Sequence, residues 1–141
     1  MKCALLLAAA LLWPVANSAA AQTAVTPMVE RVATIAVLDK VSQEVADYEV
    51  LPGERIAYRA LSIRLVACDA TPPWAEREEQ GAFVQIDDRR AREGENQRLF
   101  SGWLYAKSPS LNSFDHPGYD VWVRSCAMAF PETGPDTSED S

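Results

Sequence analysis

Residues 61–68 read Leu-Ser-Ile-Arg-Leu-Val-Ala-Cys, the clearest alternation of apolar and polar side chains in this sequence. Successive residues of a β-strand point to opposite faces of a sheet. Ser62 and Arg64 would lie on one face, and the other face would carry Leu61, Ile63, Leu65 and Ala67. A helix would place Arg64 inside the apolar stripe, so the pattern predicts a half-buried strand.

Similar short runs flank this strand and are separated by turn signals such as Pro52-Gly53 and Pro72-Pro73. The further candidate strands are residues 34–38, 44–50, 55–59, 82–86, 99–105 and 119–126. The charge-rich residues 87–96 are expected to form an exposed hairpin. Because no stretch shows a convincing amphipathic helical period, the sequence predicts an all-β domain over residues 30–130, a small β-sandwich or barrel.

The first 21 residues have the order of a secretory signal peptide, 1–21. Lys2 precedes an apolar run over residues 4–13, Pro14 ends that run, and small residues lead to Ala21. The run is about half the length that a helix needs to cross a bilayer. We therefore expect an exported, periplasmic protein that is cleaved near Ala21 and has no membrane span in its mature chain.

Two short segments flank the predicted domain. Residues 22–29 are mostly small or polar, and we expect them to form a flexible leader. Residues 131–141 contain four acidic residues and no large apolar side chain, so they bury too little surface to offset the entropy of ordering. The sequence predicts a disordered acidic tail there.

Cleavage of the signal peptide removes Cys3 and leaves the pair Cys68 and Cys126. An even pair in an exported chain is typical of a disulfide. The two are 58 positions apart, which excludes a C-x-x-C redox motif, and two cysteines with one histidine make a poor zinc site. Both lie at the ends of predicted strands, so we expect the disulfide to link two sheet edges or two sheets.

The charge of the chain excludes one large class of partners. With 13 basic and 20 acidic residues the net charge is −7, and a protein of that charge is repelled by phosphate backbones. We therefore expect no nucleic-acid partner. The sequence also predicts no cofactor and no metal.

His116 is the one histidine in the chain and the first candidate for catalysis. A general base needs an orienting partner, which Asp115 or Asp120 could supply, so a cell-envelope hydrolase that uses His116 is an alternative interpretation. The sequence has no G-x-S-x-G nucleophile elbow, however. A metal site formed by these three residues is disfavoured because Pro117 restricts the backbone of His116. We expect His116 to organise its loop by bonding backbone atoms, and we assign no catalytic residue.

The loop over residues 108–120 is predicted to form the functional face, since ordered loops of this length are often functional. Trp103 on the preceding strand could stack against a sugar, although aromatic residues on strands more often lie in the core. The candidate binding residues are Trp103, Asn112, Asp115, His116, Tyr119 and Asp120.

Several blocks of the sequence resemble the signature of a known family. Residues 99–112 read Leu-Phe-Ser-Gly-Trp-Leu-Tyr-Ala-Lys-Ser-Pro-Ser-Leu-Asn, and residues 116–123 read His-Pro-Gly-Tyr-Asp-Val-Trp-Val, followed by Cys126. Together with Leu38-Asp39-Lys40 and the strand from Leu65 to Cys68, these blocks resemble an exported bacterial family of unknown function, DUF2155.

The resemblance extends over about residues 30–130. Two positions depart from the family pattern: Gly118 stands where a β-branched residue is usual, and Lys107 where serine is usual. The resemblance implies a periplasmic setting and a single small domain, and it implies no activity. We therefore expect a periplasmic binding or accessory protein without catalytic activity, whose partner is an envelope or inner-membrane protein. An accessory subunit of an inner-membrane respiratory complex is the second alternative.

Overall fold

The computed structural model describes residues 24–90 and 97–131. Its strands are β1 (Val32–Asp39), β2 (Glu44–Val50), β3 (Arg55–Tyr58), β4 (Leu61–Ala70), β5 (Gln80–Asp88), β6 (Gln97–Tyr105) and β7 (Tyr119–Ala127). Two short 3-10 turns span Met28–Glu30 and Pro109–Leu111. Each candidate strand is found, and the predicted all-β fold is confirmed. Within the described residues, no helix has the length and apolarity to cross a membrane.

The strands form two antiparallel sheets that pack against each other as a sandwich. One sheet has the order β2-β1-β7 and the other β3-β4-β5-β6. Their inner faces share one core, whose members include Ile35, Val37, Ile63, Leu65, Val84, Ile86, Val121 and Val123. The edge strands β6 and β7 adjoin on one side of the sandwich, and the edge strands β2 and β3 adjoin on the other.

A bulge in β4 interrupts the alternation seen in the sequence. The register with β5 shifts between Leu65 and Ala67, and Val66 is 38% exposed. Because a bulge adds one residue to its strand, the inner face continues at Cys68, which is fully buried, and not at Ala67. The expectation that Ala67 shares the buried face of β4 is therefore wrong.

An exposed hairpin was expected over residues 87–96, but residues 87 and 88 belong to β5, and residues 91–96 lie outside the described part of the chain. Asp87 belongs to β5 and is only 3% exposed. Its Oδ2 accepts a hydrogen bond from Arg55 Nη1 at 3.0 Å, and its Oδ1 pairs with Arg98 Nε. Burial alone would raise the pKa of Asp87, but the hydrogen bonds from Arg98 and Arg55 outweigh it and lower the pKa. The carboxylate is thus a buried link between three strands.

The two terminal segments are only partly described. The predicted signal peptide, residues 1–21, and all of the predicted acidic tail after Pro131 lie outside the described residues. In the predicted leader, Thr26 donates its N–H to the Ala129 carbonyl at 3.1 Å, and the Ala129 N–H donates to Thr26 Oγ1 at 2.8 Å. This part of the leader therefore runs beside the end of the domain. Its flexibility stays a prediction.

Cys68 and Cys126 form the predicted disulfide, with their Cα atoms 5.8 Å apart. Cys68 lies on β4 and Cys126 on β7, so the bond links the two sheets. A second link lies next to it: the Cys126 N–H donates to Gln80 Oε1, on β5, at 2.8 Å. Of the two arrangements expected from the sequence, the structure has the one between sheets.

We predict that the double variant Cys68→Ala/Cys126→Ala is less stable than the oxidised protein by about 4 kcal/mol, the chain-entropy value for a loop of this length. Urea denaturation measures the difference, and wild type unfolded in the presence of a reductant serves as the control. Equal denaturation midpoints for oxidised wild type and the double variant would contradict the prediction.

Candidate functional site

The segment over residues 106–118, called here the β6–β7 loop, folds back into the side of the sandwich where β6 and β7 adjoin. Its Phe114 side chain is 3% exposed and belongs to the core. The Phe114 ring packs edge-on against Phe100 of β6, with ring centroids 6.1 Å apart. The loop is therefore attached to the sandwich by an apolar contact.

Asn112 binds the first half of this loop to β6. Its Nδ2 donates to the Trp103 carbonyl at 2.9 Å. Gly102 makes the approach possible, because a Cβ at that position would lie 2.9 Å from the same Nδ2 and 3.4 Å from Phe100 Cζ. The close approach of Asn112 thus explains why the residue between Ser101 and Trp103 is a glycine.

His116 organises the second half of the β6–β7 loop. Its Nδ1 accepts the Gly118 N–H at 3.0 Å, and its carbonyl accepts a hydrogen bond from Lys40 Nζ at 2.8 Å. The imidazole stacks on Phe114, with centroids 5.6 Å apart, and on Tyr119, at 5.4 Å. In the part of the chain that the structure describes, no carboxylate or hydroxyl group is hydrogen-bonded to this ring.

Near His116, the end of β1 carries a buried carboxylate, that of Asp39. Asp39, at the end of β1, is 4% exposed, and its Oδ1 accepts the N–H groups of Val41 at 2.8 Å and Ser42 at 3.1 Å. Its Oδ2 lies 2.9 Å from Arg59 Nη1. The hydrogen bonds from Ser42 and Val41, and then the Arg59 charge, lower the pKa of Asp39. The group is therefore ionised at neutral pH.

Arg59 has a left-handed backbone, with φ at 48°, which is unfavourable for a residue other than glycine. Its guanidinium pairs with Asp39 and also with Glu44, at 2.8 Å. Arg59 and Asp39 line a hollow of about 520 Å³ together with the candidate residues His116 and Tyr119. Neither Asp39 nor Arg59 is among the binding residues predicted from the sequence, although Asp39 lies in one of the blocks that resemble the family.

The remaining candidate residues lie elsewhere. Asn112 and Asp120 line a groove of about 410 Å³ between the β6–β7 loop and β7, called here the β7 groove. Asp115 is exposed on the loop. Trp103 lies on the outer face of the four-stranded sheet, the face turned away from the other sheet. The structure therefore divides the six candidates among separate surfaces.

Trp103 is not part of the core. Its strand neighbour Leu104 points inward and is 3% exposed, so Trp103 points outward, where its ring packs edge-on against Phe83 with centroids 5.9 Å apart. The expectation that aromatic residues on strands are core residues is wrong here, because the phase of the strand decides the face.

Within the described residues, β6 and β7 are the last strands of their sheets, so each has one edge that pairs with no further strand; on β6, Asn112 binds the Trp103 carbonyl. The apolar residues among the lining of the β7 groove are Leu104, Ala106, Pro109, Val121, Trp122 and Val123. Among the described residues that line the groove, Asp120 is the one with a charged side chain. This arrangement suits an extended, largely apolar segment of another molecule.

Comparison with known proteins gives a family match. The family model described as "Uncharacterized protein conserved in bacteria (DUF2155)" matches residues 33–126, about two thirds of the chain. The matched range runs from β1 to the second cysteine of the disulfide and includes the β6–β7 loop. No curated protein and no solved structure matches the chain.

We predict that Gly102→Ala loosens the β6–β7 loop without unfolding the sandwich, because the atom that must move is the end of the Asn112 side chain. Loss of one hydrogen bond of about 1 kcal/mol should speed trypsin cleavage after the exposed Lys107 by about fivefold. Mass spectrometry compares that fragment with cleavage after the exposed Arg77.

Gly118→Ala is the matched control. A Cβ there would meet only the His116 ring, at 3.5 Å, which is an ordinary contact. Its cleavage after Lys107 should equal that of wild type. Equal rates for both alanine variants would show that Gly102 does not hold the loop.

Proposed function

The chain belongs to DUF2155, a family of uncharacterized proteins conserved in bacteria, and from this premise we propose that it is a periplasmic binding or accessory protein without catalytic activity. It binds a segment of an envelope or inner-membrane protein in the β7 groove. The observation that supports this most strongly is that the loop beside the groove uses its polar side chains to bind the protein's own backbone.

Two contacts carry that observation. The Asn112 amide donates to the Trp103 carbonyl, and the His116 imidazole accepts the Gly118 N–H. A general base must be free to take a proton and needs a partner that orients it. With Nδ1 engaged by backbone and the ring stacked on Phe114 and Tyr119, His116 is better suited to shaping the loop.

The free edges beside the β7 groove favour binding of an extended segment. Unpaired backbone groups of an edge strand can hydrogen-bond to an added strand, and alternate side chains of that strand can enter an adjoining pocket. β7 is fixed at both ends, by Lys40 bound to the Gly118 carbonyl at 2.9 Å and by the disulfide at Cys126. Its central residues therefore present a preorganised edge.

Two features support the periplasmic part of the proposal. The order of residues 1–21 is that of an export signal. The bond between Cys68 and Cys126 requires an oxidising compartment to persist, and such bonds are rare in the cytosol of most bacteria.

Site-specific photo-crosslinking in cells tests the proposal. A photoreactive amino acid in place of Ser110, which lines the groove, should give a discrete crosslinked product with one envelope protein. The same residue in place of the exposed Glu49, on β2 at the opposite edge of its sheet, should give none. Equal products from both positions, or no product from Ser110, would contradict binding in the groove. An inner-membrane respiratory subunit as the product would favour the accessory-subunit alternative.

The variant His116→Gln separates binding from catalysis. Glutamine keeps some hydrogen bonding but cannot act as a base at neutral pH, so we expect the Ser110 crosslink to persist. If folding and the crosslink survive while a measurable hydrolytic activity of the wild type disappears, the protein is an envelope hydrolase and the proposal is wrong.

A further inference from the structure

We propose that the outer face of the four-stranded sheet has a binding site for a small organic ammonium cation. The site is a slot between the side chains of Trp103 and Tyr105, over Gly81 and beside Asp69 and Glu79; we call it the aromatic slot. It shares Tyr105 with the lining of the β7 groove but otherwise lies on the outer face of the four-stranded sheet, and it does not depend on the proposed function.

The strand geometry forms the slot. Trp103 and Tyr105 are two residues apart on β6 and therefore share its outer face. Gly81 on β5 is paired with Tyr105. A Cβ on Gly81 would lie 3.1 Å from the Leu104 carbonyl oxygen and 3.4 Å from Trp103 Cε3, so only glycine leaves the floor open. The resulting cavity has a volume of about 180 Å³.

The ring of Trp103 is held in place before any ligand binds. Phe83, its cross-strand partner on β5, packs against it at an interplanar angle of 83°. An aromatic pair in this edge-to-face arrangement contributes about 0.5–1.5 kcal/mol beyond the area it buries. A preorganised ring loses little freedom on binding, which favours a small ligand.

The charge of the lining selects a cation. Among the residues that the structure describes, two carboxylates, Asp69 and Glu79, and no basic side chain line the slot. Glu79 Oε1 accepts the N–H groups of Lys107 at 2.9 Å and Gln80 at 3.0 Å. Burial would raise the pKa of Glu79, but these hydrogen bonds and one with Ser108 outweigh it and lower the pKa. Glu79 is therefore ionised at neutral pH.

Asp69 is partly neutralised within the protein. Its Oδ1 lies 3.1 Å from Arg31 Nη1. Arg31 also donates to the Thr26 and Cys68 carbonyls, so its guanidinium is shared among three acceptors and is held at the edge of the sheet. The Lys107 charge also acts on Glu79, and its Nζ pairs with Glu78. Two positive charges, on Arg31 and Lys107, thus lie near three carboxylates, and the described residues around the slot retain a net negative charge.

Cations already lie over other aromatic rings of this protein. Arg59 lies 5.7 Å from the Tyr58 ring centroid, and Arg124 lies 5.5 Å from that of Trp122. Across residues 24–90 and 97–131, no cation lies over Trp103 or Tyr105. Aromatic faces next to carboxylates attract ammonium groups with apolar substituents, because the rings contact the alkyl groups while they stabilise the charge.

Titration with choline chloride, followed by NMR of the full-length mature protein at constant ionic strength, tests the proposal. The Trp103 indole N–H and the amide of Gly81, which lines the slot and not the β7 groove, should shift saturably. The Trp122 indole should not, since Arg124 covers its ring. The neutral isostere 3,3-dimethylbutan-1-ol should cause no saturable shift. Equal responses to choline and the isostere, or no saturation with choline, would overturn the proposal.

Two substitutions sharpen the test. Glu79→Gln removes the charge but keeps an oxygen for the Lys107 and Gln80 N–H groups, and it should weaken choline binding by about two- to fivefold. Glu49→Gln is the matched control, because Glu49 is exposed on β2, in the other sheet. It should leave the affinity unchanged. Equal affinities for the two variants would contradict the assignment.

Trp103→Leu removes the ring and keeps an apolar side chain, so it should abolish the saturable shift of the Gly81 amide while the spectrum remains that of a folded protein. An undiminished shift would mean that choline binds elsewhere. The outcome is independent of the Ser110 crosslink, which reports on the β7 groove.

Discussion

Burial of the Phe114 side chain is the interaction on which the position of the β6–β7 loop depends. The edge strands β6 and β7 belong to different sheets and do not pair with each other, so the interior between them needs a cover. Phe114 supplies it from the loop and packs against Phe100. Burial of one phenylalanine contributes about 1.5–3 kcal/mol, whereas each hydrogen bond of the loop contributes about 1 kcal/mol. The apolar contact therefore attaches the loop, and Asn112 and His116 set its shape.

The geometry of β7 follows from contacts at its two ends. At its start, Lys40 binds the carbonyls of His116 and Gly118. At its end, Cys126 is bonded to Cys68 and to the Gln80 side chain. The strand is held at both ends, and along its middle one edge pairs with no other strand among residues 24–90 and 97–131. This combination of a fixed strand and a free edge is the physical basis for assigning binding to the groove.

The sequence predicted the strands well because their alternation is local, but it could not predict features that depend on phase or topology. The alternation of apolar and polar residues does not reveal the bulge at Val66. The sequence therefore predicted that Ala67 faces the core, whereas Cys68 does so. Trp103 was a candidate for stacking against a ligand, with a core position as the more common alternative, and only the phase of β6 in the folded sheet shows that its ring lies on the outer face. The ion pair of Asp39 with Arg59 joins β1 of one sheet to the turn between β3 and β4 of the other, and no spacing rule reports it.

Amide hydrogen exchange of the folded protein tests whether the β6–β7 loop is a fixed part of the sandwich that Phe114 holds in place. The N–H groups of Leu111 and Gly118 donate within the loop, and that of Lys40 donates to the loop from β1's end. We predict exchange at least about a hundredfold slower than in an unstructured peptide, and loss of this protection in Phe114→Ala while β4 and β5 stay protected. Unprotected loop amides in the wild type would show that the loop is not fixed to the sandwich. Protection that survives in Phe114→Ala would show that Phe114 does not hold it.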